Sequence, residues 1–212
     1  MSDSETSDEG ATTPSRDWQR YYCATEGRPP RPTLLRALAA FAREGLGAGG
    51  LAVDLGCGSG RDALPLLRAG WRVWALDSEA EGLARLQRQA AAEGLEGLTA
   101  VLGRFEDTPL PPCDLVNASF SLFACPPAHF PALWSGIVTA LRPGGRFAGQ
   151  LLGPRDSWAA RPETSFVTRD GLDALLAPFT VEHLEEEETD SVTPMGEAKH
   201  WHIWHVNARR SS

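Results

Sequence analysis

From Leu51 onward, short apolar runs alternate with longer stretches in which apolar residues recur every three or four positions. The runs Leu51–Leu55, Val73–Leu76, Leu98–Leu102, Leu115–Ala118 and Arg146–Leu152 have the length of buried strands. Between them, Ala63–Leu67, then Leu83, Leu86 and Ala90, then Leu133, Trp134, Ile137, Val138 and Leu141 mark helix faces. This alternation is the pattern of βαβ units, so the spacing predicts an α/β fold with a parallel sheet and helices on both of its faces. Thr168 is placed to cap a last helix carrying Leu172, Leu175 and Leu176. Beyond it, Thr180–Glu188 and Lys199–Asn207 read as two strands joined by the turn-rich TDSVTPMG, too short for a crossover helix, so they should pair antiparallel. Upstream, Pro29, Pro30 and Pro32 introduce a helix bearing Leu34, Leu38 and Phe41, which GLGAGG at 45–50 ends.

Composition adds boundaries. Residues 1–16 are acidic and Ser/Thr-rich with almost no large apolar side chains, so a disordered tail is expected there and a single domain over 17–212. Twenty basic against 28 acidic residues give a net charge of −8, which disfavours a nucleic-acid partner. The start lacks a basic and apolar leader, so a cytoplasmic location is expected. The uncharged stretch from Leu115 to Leu141 is broken by polar residues and prolines, and no membrane association is expected. The cysteines, Cys23, Cys57, Cys113 and Cys125, form no C-x-x-C pair, so neither a disulfide framework nor a zinc site is indicated.

The informative segment is Asp54-Leu55-Gly56-Cys57-Gly58-Ser59-Gly60, which follows a buried strand and opens a helix. Glycines there let the backbone turn tightly and approach a ligand, and free amides at the helix start suit a carboxylate, phosphate or pyrophosphate. The dinucleotide fingerprint G-x-G-x-x-G needs glycine or alanine at 61, but Arg61 stands there. Asp77 ends the second strand about 20 residues past the loop, where a carboxylate accepts both ribose hydroxyls. Past the third strand, Phe105 and Glu106 are placed to pack on and hydrogen-bond an adenine.

These residues, together with Leu141-Arg142-Pro143-Gly144-Gly145 before the fifth strand, resemble a class I S-adenosylmethionine-dependent methyltransferase from Trp18 onward. The resemblance implies a Rossmann-like, seven-stranded, mostly parallel sheet whose last strand is antiparallel, and S-adenosyl-L-methionine as cofactor. It places Asp54, Gly56, Cys57, Gly58, Gly60 and Arg61 at the methionine end of the cofactor, with Tyr22 and Ser119 beside it. Asp77 and Ser78 would hold the ribose, and Phe105 and Glu106 would flank the adenine. Gly58-Ser59-Gly60-Arg61-Asp62-Ala63 is also similar to small metalloid and thiol methyltransferases, tellurite-resistance enzymes among them.

Methyl transfer is an in-line displacement, so the protein must align a nucleophile and exclude water, and a base is optional for a thiolate or reduced metalloid. No dedicated base stands out, and the catalytic residues stay unassigned. Where enzymes acting on base amines or on protein glutamine carry Asn-Pro-Pro-Tyr, this chain has Ser119-Phe120-Ser121-Leu122. A small-molecule acceptor is expected, lined by Tyr21, Phe120, Phe123, Arg155 and Trp158, with the chain a monomer or homodimer. The run Lys199-His200-Trp201-His202-Ile203-Trp204-His205 invites a metal reading, but pairing with Glu185–Glu188 across the hairpin explains it better, and no metal is expected. The rivals are a module that binds the cofactor or its demethylated product without catalysis and, less favoured, an NAD-dependent oxidoreductase.

Overall fold

The computed structural model describes residues 18–211. The expected disordered tail, and the side chain of Trp18, lie outside what it describes. The chain folds as α1 (Trp18–Thr25), α2 (Pro32–Arg43), β1 (Leu51–Leu55), α3 (Ala63–Arg68), β2 (Arg72–Asp77), α4 (Ala80–Ala92), β3 (Leu98–Leu102), β4 (Cys113–Ala118), α5 (Phe130–Ala140), β5 (Leu141–Leu152), α6 (Arg169–Leu176), β6 (Phe179–Val192) and β7 (Ala198–Arg210). Seven strands make one sheet in the order β3-β2-β1-β4-β5-β7-β6. The first five run parallel, while β7 is antiparallel to both β5 and β6.

Strand alternation sends side chains to two separate cores. One face carries Val53, Leu55, Val116, Ala118 and Phe147 against Leu133, Trp134 and Ile137 of α5 and Leu172 and Leu176 of α6. The other carries Ala52, Val73, Ala75, Leu115 and Ala148 against Leu34, Ala37 and Phe41 of α2 and against the apolar stripes of α3 and α4. Helices therefore cover both faces, as the pattern predicted. The beginning of α2 is pinned to the sheet: Gln150 on β5 donates to Thr33 Oγ1 at 2.9 Å and Asn207 on β7 donates to the Thr33 carbonyl at 2.8 Å.

The differences from expectation are at element ends. β5 starts at Leu141 rather than Arg146, because Leu141 already pairs with Cys113 and the register then shifts before Leu115 meets Arg146. The hairpin strands are longer than expected, pairing from Phe179 with Arg210 to Val192 with Ala198. Their turn shrinks to Thr193–Glu197, where the Thr193 hydroxyl accepts the amides of Met195 and Glu197. Among the described residues no helix is long and apolar enough to cross a membrane.

Candidate functional site

The glycine loop lies between β1 and α3, at the carboxyl ends of the parallel strands. Gly56, Gly58 and Gly60 all have left-handed backbones, with φ of +70°, +53° and +97°. Two of them are also sterically obligatory. A Cβ on Gly56 would sit 2.4 Å from the Cβ of Ser121, and one on Gly60 would sit 2.6 Å from Leu86 Cδ1. The loop is fastened to β2, where the Leu76 carbonyl accepts the amides of Gly56 at 2.8 Å and Cys57 at 3.1 Å. It does not run straight into a helix: its turns continue through Asp62, and α3 begins only at Ala63. Gly60, with φ of +97°, cannot belong to that helix, so Arg61 precedes the helix start rather than occupying it.

Asp77 ends β2 beside this loop. Its Oδ2 accepts the Gly58 amide at 2.7 Å and its Oδ1 accepts the Glu79 amide at 2.9 Å. Each oxygen therefore already orders backbone, and each keeps a further lone pair for a diol. Burial pushes the Asp77 carboxyl up, and the amides of Glu79 and Gly58 pull it back down. Tyr22 on α1 is buried against the loop, its ring 3.5 Å from where a Gly58 Cβ would lie and its hydroxyl close over Gly82 of α4. Burial, then the Asp77 charge, drive its phenol far above its usual range. Phe105, in a 3-10 turn over Phe105–Asp107, reaches within 3.4 Å of the position a Gly56 Cβ would take. Phe105 and Glu106 also line a cavity of about 250 Å³ with His129 and Leu133. Glu106 is held by Arg104 at 2.6 Å, and Ser78 lies exposed at the edge of the site.

Beneath the loop is a group that sequence reasoning did not assemble. Asn117 on β4 donates through Nδ2 to Asp54 Oδ1 at 2.8 Å and to Asp62 Oδ2 at 3.3 Å. Asp54 and Asp62 are both buried, and Asp54 Oδ2 has no hydrogen-bond partner. Burial first, then the neighbouring Asp62 charge, pushes the Asp54 carboxyl up to about 8. Ser119 stands next to this group, 3.4 Å from Asn117 Oδ1. Asp62 was visible in the string after the loop, whereas Asn117 gave no signal apart from sitting in an apolar strand. Cys57 is buried in the loop, and burial together with Asp54 raises its thiol well above the usual range, so it is no thiolate.

A second neighbourhood extends toward β7. Phe120, which follows β4, is edge-on to Trp201 at 5.9 Å and to His205 at 6.3 Å between ring centroids. Trp201 in turn neighbours Trp158 at 5.7 Å, and Trp158 neighbours Phe123 at 5.3 Å. Lys199 lies between the Trp158 and Trp201 rings, 4.1 and 4.2 Å from their centroids, with Asp156 as its buried ion-pair partner. Of the expected acceptor-side residues, Phe120, Phe123 and Trp158 lie along one aromatic chain, and Tyr21 packs beside Tyr22 at 6.0 Å.

One expectation needs correction. Arg155 does not face this chain; it is clamped by Glu188 and Glu186 at 2.7 Å and donates its amide to His202, on the hairpin face opposite Trp201 and His205. Two carboxylates already complement its charge, which leaves it no call on an anionic acceptor. Arg61 is also engaged, its Nε donating to the Pro29 carbonyl at 2.7 Å. The histidine run behaves as cross-strand pairing predicts, with His200 on Asp190 and Glu188, His202 on Glu186 and His205 on Glu187. Among the described residues no group of three or more His, Cys, Asp or Glu side chains is arranged to hold a metal ion.

Residues 52–145 match the family described as a methyltransferase domain. That match takes in less than half of the chain. An uncharacterized methyltransferase of Synechocystis sp. is 33% identical over 112 residues, which is 52% of this chain and 50% of the relative. The chain thus matches about half the length of that curated relative. Among solved structures, magnesium protoporphyrin IX methyltransferase from Synechocystis PCC 6803 with bound S-adenosylmethionine superposes with a TM-score of 0.67 at 17% identity. That likeness covers 93% of this chain and 92% of the other. A structure concerned with the conversion of a disulfide bond into a thioacetal group during echinomycin biosynthesis gives 25% identity and a TM-score of 0.61, over 86% and 82% of the two chains. The fold is shared with that magnesium protoporphyrin IX methyltransferase, and the glycine loop, Asp54, Asp77, Phe105 and Asn117 all fall within residues 52–145.

Proposed function

We propose that the chain is an S-adenosylmethionine-dependent methyltransferase whose acceptor is a small molecule, either a metabolite, a thiol or a metalloid. The observation that carries the cofactor assignment is the coupling of the glycine loop to Asp77 through the Gly58 amide, with the unpartnered Asp54 oxygen beneath. The residues suit such a guest. A buried carboxyl oxygen without a hydrogen-bond partner calls for an ammonium or hydroxyl, and the left-handed glycines let the loop backbone turn tightly beside it. Asp77 and Ser78 would hold the ribose hydroxyls, Phe105 and Glu106 the adenine, and Asp54 the ammonium of the methionine portion. Bound there, S-adenosylmethionine supplies a methyl group on a sulfonium, which a nucleophile takes in line.

The chain's own residues then have three tasks. The Asp77 carboxylate and the Asp54 carboxyl, which gives up its proton when an ammonium arrives, fix the donor's two ends, which sets the angle of attack. Tyr22 closes the loop from above and keeps water out. The aromatic chain of Phe120, Trp201, Trp158 and Phe123 offers an apolar wall for an acceptor, with ring faces that tolerate positive charge. The relative concerned with a disulfide-to-thioacetal conversion supports chemistry at sulfur, for which no base is required. The test is methyl transfer from labelled S-adenosylmethionine to thiols, reduced metalloids and small amines, read by mass spectrometry. Methylated product from one class fixes the acceptor atom. Tight binding of S-adenosylhomocysteine without product from any class would instead make this a cofactor-binding module.

A further inference from the structure

Two arginines lie on the α2 side of the sheet, each against an aromatic ring, and they differ in one respect. Arg146, 1% exposed, is 4.5 Å above the Phe41 ring and has both edges filled, by Glu182 at 2.8 Å and by Glu44 at 2.6 to 3.0 Å. Arg31 is partly buried, with its guanidinium carbon 4.2 Å from the Phe120 centroid. Only its backbone is bonded: the amide donates to Asp62 Oδ1 at 2.9 Å and the carbonyl accepts from Leu35 at 3.1 Å. Among the described residues nothing accepts a hydrogen bond from its guanidinium. Burial and the nearby Arg61 charge pull its pKa down to about 10 while the Asp62 carboxylate works the other way, so the group keeps its charge at neutral pH with its guanidinium donors unused.

The side chain is aimed, not idle. Asp62 fixes the amide, and Pro32 follows immediately, with Thr33 gripped by Gln150 and Asn207. Phe120 is the only described non-glycine residue with positive φ, at +52°, an unfavourable backbone for a bulky side chain. That conformation sets its ring under the guanidinium and edge-on to Trp201 and His205. His205 is turned toward Glu187, at 2.8 Å, and Asp62 is taken by the Arg31 amide and Asn117. A flat guanidinium with open donors above an aromatic floor matches an oxyanion attached to an apolar body.

We propose that Arg31 is the anion-holding residue of the acceptor subsite, so that the acceptor carries a carboxylate or similar oxyanion, with its apolar part against Phe120 and Trp201. This rests on the methyltransferase reading above. The cofactor's own carboxylate is the other source of the same chemistry. What favours the acceptor is the floor of the site, because the Phe120 ring under the guanidinium neighbours Trp201 and His205 on β7, the strand beyond β5 from the glycine loop.

The test is a titration of the full chain with benzoate and with benzamide, with and without saturating S-adenosylhomocysteine, followed by calorimetry. Benzoate should bind at millimolar concentration and at least tenfold more tightly than benzamide. Arg31→Gln should abolish that preference, and Arg31→Lys should retain part of it. Because no described group accepts a hydrogen bond from the guanidinium, the Tm of Arg31→Gln should fall far less than that of Arg146→Gln, whose guanidinium bonds two carboxylates. Equal binding of the two probes, or a preference that survives in Arg31→Gln, overturns the proposal. So does a tenfold loss of S-adenosylhomocysteine affinity in Arg31→Gln without any benzoate preference in the parent, which would give the guanidinium to the cofactor. Failure of the parent to bind S-adenosylhomocysteine while it still prefers benzoate would count against the cofactor reading and leave the anion site standing.

Discussion

The two halves of the sheet do different work with different materials. On the β3-β2-β1 side, the site is built from backbone: left-handed glycines, amides donated to Asp77, and a loop tied to the Leu76 carbonyl. On the β5-β7-β6 side it is built from side chains, in which the Arg31 guanidinium and the rings of Phe120, Trp201, Trp158 and Phe123 meet across long sequence separations. A backbone site binds the same cofactor whatever the neighbouring side chains are, and it tolerates almost no substitution. A side-chain site is where specificity can change by substitution without disturbing the loop, which fits a fixed methyl donor and a variable acceptor.

The largest break in that comparison should come from Gly56→Ala. Its Cβ would fall 2.4 Å from Ser121 on a backbone with φ of +70°, so S-adenosylhomocysteine affinity should drop more than 100-fold. Retained affinity would mean that the loop is not the cofactor's seat. Asp77→Ala should cost about 2 kcal/mol of cofactor binding, roughly 30-fold, the scale of a lost charged hydrogen-bond pair. Thermal melts would show at the same time how far the Gly58 amide depends on it.

A subtler effect is expected from Asp54. Its raised pKa means the folded chain holds a proton that the unfolded chain has released, so stability is complete below about pH 4 and is lost as pH rises to about 8. Asp54→Asn removes this dependence. The Tm advantage of the variant over the parent should therefore widen between pH 4 and 8, and a constant difference would show that Asp54 titrates normally. The smallest effect is expected from Arg155→Ala, on the far face of the hairpin. Cofactor affinity and acceptor preference should both stay within about twofold, and a larger change in either would return Arg155 to the acceptor side.

The same contrast explains what was legible in the sequence. The glycine loop, Asp77 and Phe105 are marked by local strings and by strand ends, and the structure brings them together as the spacing implied. The hairpin was legible too, because two β-rich runs with a short turn leave only antiparallel pairing. Asn117 and Asp54 meet from 63 residues apart, and only the β1–β4 register makes them neighbours. Arg31 sits in a proline-rich stretch that carries no pattern of its own. Its importance depends on where Phe120, 89 positions later in the chain, happens to place a ring. Arg155 looked available because its partners, Glu186 and Glu188, are reached only through the hairpin fold.

The most direct measurement is a calorimetric titration of the purified chain with S-adenosylhomocysteine, with NAD as the parallel control, repeated on Asp77→Ala. Micromolar binding of S-adenosylhomocysteine alone, weakened roughly 30-fold by the substitution, is the expected result. Binding of NAD, or S-adenosylhomocysteine binding indifferent to Asp77, would contradict the assignment of the glycine loop and Asp77 as one adenosine-holding site.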